Sequence, residues 1–467
     1  MMPSMNRWQA LLLALALSAC PAAPVPPSDA GTVLPDAGAD APDGGDGSDG
    51  GVLSSVQDVL TTALTLDLST RTGTARIRVQ PAAESQQVSL QTGMLAFTAS
   101  KVDGVAVQPL VEHGFGHWPI TRWDRPVELE VSYVFPARSI ATFDGWLADK
   151  GISFTWPFAC GNLFPCNPLP WDGVTFSMEV TGVPGGQRAL YPRSTVTDAP
   201  AYMPAVAVGP FEEIPLGTTD AGTRVAAYYL PSLVTEATAR AGTAHLRQVQ
   251  EYFEQAYGPY PFGTELGAVS VDWGPGQYGG IEVQPYYHVP YEDFGTEEVH
   301  AHEAAHAWYG NGVRFACWED FVLSEGTVTY MAARGLEKAG GPDVWPMYID
   351  ELTAICNGTG NTVVLQDATC NTIDFLNEWS LAHYMKGACF YEEVADLIGW
   401  DAVDAVIADF FAAHVNGAAR MQEMVDALKE KAGPANAPKV QALAVEWLRR
   451  LNCPSNYAAR CGMHGPR

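Results

Sequence analysis

Positive charge is scarce in this chain of 467 residues: 26 Lys and Arg stand against 53 Asp and Glu, a formal net charge of −27. A surface of that sign repels phosphate backbones and anionic headgroups, which argues against nucleic-acid binding and electrostatic adhesion to lipid. Long apolar runs are also missing. Leu11 to Leu17 form a short apolar stretch that is not long enough to cross a bilayer, and nothing later is long and apolar enough. Residues 21–52 contain no aromatic residue, no Lys and no Arg; they hold six Asp, seven Gly, six Pro and six Ala. Such a segment cannot bury enough surface to fold and reads as a solvated tether. Only six of the acids lie there, so the folded body is itself acidic. No Cys-x-x-Cys pair is present, which removes the common thiolate zinc knuckles.

Arg7 precedes the apolar stretch, and Leu17-Ser18-Ala19-Cys20 follows it. Residues 1–19 read as a secretory signal. The last four residues look like a bacterial lipobox, in which Cys20 is diacylated and becomes the first residue. Ordinary signal cleavage is the alternative. The expectation is an exported bacterial lipoprotein of the cell envelope, on the periplasmic face or the cell surface, anchored through Cys20 and otherwise a monomer. Beyond Cys20, eight cysteines remain, and an even number in an exported chain suggests disulfides. Many pairings are open. Proximity along the chain suggests Cys160–Cys166, Cys356–Cys370 and Cys453–Cys461, leaving Cys317–Cys389.

Between Val56 and about Pro215 the chain alternates apolar and polar residues. Leu64 to Leu68, Ala75 to Val79 and Glu128 to Val134 have the period of half-buried strands. After Thr235 the pattern turns helical: 237–256, 296–309, 324–338, 373–398, 400–414, 421–431 and 438–451, with strands at 267–271 and 280–284. The expected fold is α+β and multidomain. A β-sandwich-like domain spans 53–217, after the signal at 1–19 and the tether at 20–52, and a mainly helical domain spans 218–467.

The chemistry is concentrated in His302-Glu303-Ala304-Ala305-His306, followed nineteen positions later by Glu325. Residues i and i+4 share one helix face, so His302 and His306 can present two imidazoles to one cation. Glu325 would supply the third ligand of a catalytic zinc and leave one position open. Glu303 can reach a water at the metal without being a ligand.

The flanking residues extend the pattern: His302 to Asn311 reads HEAAHAWYGN, and Trp318 to Gly326 reads WEDFVLSEG. This resembles the aminopeptidase N / leukotriene hydrolase family of gluzincin metallopeptidases. The resemblance implies one zinc held by His302, His306 and Glu325, with Glu303 as general base and a thermolysin-like catalytic domain. Gly279-Gly280-Ile281-Glu282-Val283 resembles the family's G-[AG]-M-E-N motif. That implies Glu282 as the anchor of the substrate's α-amine, with Gly279 and Gly280 leaving room for its backbone; Val283 replaces the family's asparagine. Tyr384-Met385-Lys386-Gly387 resembles YxKG, whose tyrosine hydrogen-bonds the oxyanion. Asp320 matches the aspartate of WxD, which would orient a ligand; a helix-capping or surface acid is the alternative. Phe164-Pro165-Cys166 resembles another family segment, but where a Gln-x-Glu often precedes it, this chain has Phe154-Thr155-Trp156. The expectation is a two-domain form without the family's helical-repeat domain.

The function expected is a zinc-dependent peptidase, an aminopeptidase acting on peptides with a free amino terminus. An endopeptidase or relaxed exopeptidase on the same site is the alternative, given Val283 and Phe154 to Trp156. A non-catalytic surface-displayed binding lipoprotein is the rival from another class, though a binding module has no need of Glu303.

Overall fold

The computed structural model describes residues 56–462 apart from 140, 143, 275–278, 359–360 and 367–379. The signal, Cys20, the tether, Cys370 and the expected helix start at Ile373 therefore lie outside the described residues.

In the amino-terminal part, a seven-stranded sheet has the order Ala199–Pro200, Gly173–Thr181, Asp58–Asp67, Thr72–Gln80, Val127–Val134, Ala96–Val102, Val105–Ala106. The alternation read in the sequence sets its faces. Ala75, Ile77 and Val79 are buried, while Thr74, Arg76 and Arg78 point outward. Each large apolar side chain so buried contributes roughly 1.5–3 kcal/mol. A three-stranded sheet covers the inner face, with Trp118 packed edge-on against Phe97 at 5.4 Å. A third sheet, of five short strands, includes Gly145–Leu147 and Ile152–Phe154, both wholly buried. The last of these strands carries the chain into Trp156.

The second part opens on a four-stranded sheet of β1 (Glu212–Thr218), β2 (Arg224–Tyr229), β3 (Glu265–Val271) and β4 (Tyr286–Pro290), in that order. β2, β3 and β4 run parallel; β1 is antiparallel to β2. Because β1 pairs with β2, this sheet begins before the division expected at 217/218. Helices α1 (Glu236–Gly242) and α2 (Leu246–Tyr257) replace the single helix expected at 237–256. They are followed by α3 (Glu297–Ala305), α4 (Phe321–Ala339), α5 (Trp345–Asn357), α6 (Ala382–Ile398), α7 (Trp400–His414) and α8 (Met421–Trp447). The two helices expected at 421–431 and 438–451 are both present within α8, which is broken where Gly433 takes a non-helical φ of 71° ahead of Pro434. The strand expected at 280–284 is reduced to one bridge, Ile281 to His288, beyond the edge of β4.

Two features fix α4. Asp404 of α7 accepts from Tyr252, Tyr257 and Tyr330 hydroxyls at 3.0, 3.2 and 3.1 Å and from Arg334 at 2.9 Å, so three helices share one buried carboxylate. Gly326 of α4 faces Gly387 of α6, and a Cβ on either would collide with the other's Cα. Glycine at both positions is what lets these helices cross so closely.

The disulfides correct the pairing by proximity. Cys160–Cys166 forms as expected, but Cys356 pairs with Cys453 and Cys389 with Cys461. Residues 97 and 72 positions apart are brought together because the tail after α8 folds back over α5 and α6. Cys317 is also disulfide-bonded.

Candidate active site

α3 carries His302 and Glu303, and His306 is its carboxy-terminal cap. Glu325 lies one turn into α4. The helices bring three ligand atoms together: His302 Nε2 to His306 Nε2 is 3.1 Å, His302 Nε2 to Glu325 Oε2 is 3.1 Å, and His306 Nε2 to Glu325 Oε2 is 3.4 Å. Ligands at zinc bond lengths of about 2.0–2.1 Å in a tetrahedron stand about 3.3 Å apart, so this triangle has the size that the ion needs.

The far side of each ring is set for the same purpose. His306 Nδ1 donates to the Tyr309 carbonyl at 3.0 Å, and His302 Nδ1 lies 3.4 Å from Thr329 Oγ1. That hydroxyl gives its own proton to the Glu325 carbonyl at 2.6 Å, so it accepts from His302. Both Nε2 lone pairs are thereby aimed at one point and at each other, an arrangement that a cation resolves. Burial disfavours a charge on His306. Even so, the carboxylates of Glu325, Glu282 and Glu303 raise its pKa to about 10. The donor set and the field both fit zinc.

Glu303 is buried and adjacent. Burial pushes its pKa well up, His306 partly opposing, and its Oε2 has no hydrogen-bond partner among the described residues. Gly280 lies directly over it, and a Cβ there would overlap the Glu303 carboxylate. The Glu303 side chain needs a glycine there; Gly279, before it, sits half-buried in a bend. Gln284 secures this strand, donating to the Glu303 carbonyl at 2.9 Å and accepting from Tyr260 at 2.7 Å. Val283 faces the core at 3% exposure.

Glu282 is also buried, which raises its pKa. Its carboxylate accepts from the Trp156 indole at 3.0 Å, and its backbone carbonyl accepts from Asn311 at 2.6 Å. Tyr202 contacts both Glu282 and Asn311. Tyr384 stands on the other side, its ring stacked on that of His302 with centroids 5.6 Å apart and planes 17° apart.

Thus His302, Glu303, His306, Glu325, Glu282 and Tyr384 converge on one place. Asp320 does not join them. It accepts from the Arg420 side chain and from the Met421 backbone at 3.0 Å, tying the start of α8 to the start of α4. Its role is to hold two helices, not to orient a ligand. Sequence reasoning marked Trp156 only as part of a segment lacking the family's Gln-x-Glu, missed Tyr202, Gln284 and Thr329, and gave Asn311 no role.

Residues 288–447 match the Peptidase family M1 domain. This stretch of the chain is similar to the M1 peptidase domain. Among curated proteins the chain is 27% identical to leucine aminopeptidase 2-1 of Meyerozyma guilliermondii, over 54% of this chain and 43% of that one. It is 26% identical to aminopeptidase N of Streptomyces lividans, over 50% of this chain and 29% of that one. It therefore spans less than half the length of these M1 relatives. Among solved structures, an M1 zinc metallopeptidase of Deinococcus radiodurans superposes with a TM-score of 0.71 at 20% identity, covering 86% of this chain and 96% of that one. Yeast LTA4 hydrolase superposes with a TM-score of 0.70 at 19% identity, covering 85% and 68%. At these identities the likeness shows the two-domain M1 fold, a sheet-rich amino-terminal part followed by a helical one.

Proposed function

We propose that this chain is a zinc-dependent aminopeptidase, with one zinc held by His302, His306 and Glu325. The observation that carries the reading is the ligand triangle with two further buried carboxylates beside it. When bound, zinc would polarise the scissile carbonyl and lower the pKa of water. Glu303 takes the proton from the attacking water and returns it to the leaving amine; its unpartnered Oε2 and buried setting suit a base that holds a proton between the two steps. Glu282 pairs with the α-ammonium of the substrate and sets the first peptide bond at the metal. Tyr384, beside His302, offers a phenol to the carbonyl oxygen as it gains charge. The Deinococcus radiodurans relative has been captured with the peptide Tyr-Ser-Ala, which supports peptides as the substrate class.

The test is hydrolysis of amino-acid anilides and amino-blocked peptides by the purified protein, with and without chelator. Free-amine substrates should be cleaved, activity should vanish with chelator and return with zinc, and His306→Ala should lose high-affinity zinc. Stoichiometric zinc retained by that variant would overturn the ligand assignment. Blocked peptides cleaved as fast as free ones would replace the aminopeptidase with an endopeptidase.

We also propose that Cys20 is lipidated and that the tether carries the enzyme as a monomer on the cell envelope. Cys20→Ser should move the protein from the membrane fraction to the soluble one. A wild-type Cys20 without acyl chains, seen by mass spectrometry, would refute it.

A further inference from the structure

We infer that Trp156, from the amino-terminal domain, is a positioning residue of the amine-binding site, and that its indole N–H fixes Glu282 so that one oxygen of a single carboxylate meets a single ammonium. The inference rests on reading Glu282 as the amine anchor.

Both residues are 6% exposed, and the indole nitrogen lies 3.0 Å from Glu282 Oε1. An indole has one donor, no acceptor and no titration. It orients the carboxylate without cancelling the charge that an ammonium needs, and it cannot compete for that ammonium. The other nearby donor is less committed. Tyr202 has one hydroxyl proton and two acceptors, Glu282 and Asn311 Oδ1, the latter 3.2 Å away. Asn311 presents its oxygen to Tyr202 because its nitrogen is given to the Glu282 carbonyl. A tyrosine proton on Asn311 leaves Trp156 as the donor that the carboxylate keeps.

The ring has a second contact. Its centroid is 6.5 Å from that of Phe321, the first residue of α4, which carries Glu325 one turn later. Trp156 is therefore wedged between the amine anchor and the ligand-bearing helix, and it sets the span between the ammonium and the metal. That span decides which peptide bond is cut.

The experiment uses the full-length, zinc-loaded enzyme and four proteins: wild type, Trp156→Phe, Glu282→Ala and the double variant. Substrates are amino-acid anilides and the matching des-amino acyl anilides. Loss of one hydrogen bond to a buried charge should cut kcat/KM of Trp156→Phe on free-amine substrates about tenfold, mainly through KM. It should change the des-amino substrates less than twofold. The double variant should be no worse than Glu282→Ala, because the two residues act as one unit. Trp156→Gln, which restores a donor of similar reach but not the ring against Phe321, should recover part of the loss on free-amine substrates. Should Glu282→Ala keep the wild-type preference for free amines, the amine-anchor reading itself fails and this inference falls with it. Should Glu282→Ala lose that preference while Trp156→Phe behaves as wild type, or while the two losses multiply, Glu282 stands and the role of Trp156 is overturned.

Discussion

Glu303 is the residue whose surroundings are most at odds with an ordinary glutamate. It is buried, pressed against a glycine that can carry no side chain, next to two other carboxylates, and one of its oxygens has no partner among the described residues. A structural acid would be paired. The conservative test is Glu303→Gln, which keeps size and hydrogen bonding but removes the base. Zinc content should stay at one per chain and kcat should fall about a hundredfold or more. Near-wild-type kcat with zinc retained would show that the proton goes elsewhere. The motif made this residue, both histidines and Glu325 legible, because their roles follow from spacing along helices. Asp320 shows the limit of that approach: its position in a matched string suggested a ligand partner, yet what surrounds it is the start of α8.

Among the secondary-structure elements, the crossing of α4 and α6 does most to assemble the site. Gly326 follows Glu325, and Gly387 comes one turn after Tyr384, so the contact of the two glycines sets the spacing of the helices that carry these two residues. Gly387→Ala should force the helices apart. Overpacking of this kind costs about 1–3 kcal/mol, and a displaced Tyr384 should lower kcat at least tenfold while zinc binding by α3 and α4 persists. Unchanged kcat and thermal stability would mean that the helices can yield without moving the tyrosine. The sequence pointed to these helices by their apolar period, and to Tyr384-Met385-Lys386-Gly387 by resemblance, but the reason for the glycine lies in its partner, 61 positions earlier. The disulfide pairings other than Cys160–Cys166 fail for the same reason: Cys356 and Cys453 are distant in sequence and adjacent only after the tail folds back. The segment 280–284 has strand-like residues but too few backbone partners, since it lies beyond the edge of β4.

At the scale of the whole molecule, the site is shared between domains. The proposed metal ligands and base come from the helical part, while Trp156 and Tyr202 reach Glu282 from the sheet-rich part. No local pattern marks Tyr202, and Trp156 stands out only by replacing the family's Gln-x-Glu, because what they touch is set by how the domains dock. Arg314 holds that docking. It is 4% exposed, and its guanidinium donates to the carbonyls of Trp171 at 3.2 Å and Asp198 at 3.0 Å on one side and of Asn416 at 3.2 Å on the other. Burial alone would disfavour its charge; Asp198, Asp172 and Asp58 nearby oppose that. Gly173 leaves the space, since a Cβ there would overlap the guanidinium. Arg314→Met keeps much of the volume and removes every donor, leaving three buried carbonyls unmet, so stability should fall by roughly 2–4 kcal/mol. The more telling consequence is functional. If the interface loosens, Trp156 and Tyr202 lose their hold on Glu282 while the zinc ligands, all on one side of it, are untouched. Arg314→Met should therefore retain one zinc and most of its rate on des-amino acyl anilides, yet lose several-fold in kcat/KM on free-amine anilides at a temperature where it is still folded. Equal losses on both substrate types would place the damage at the metal instead, and a variant that melts and turns over like the wild type would show that Arg314 does not hold the two domains in register.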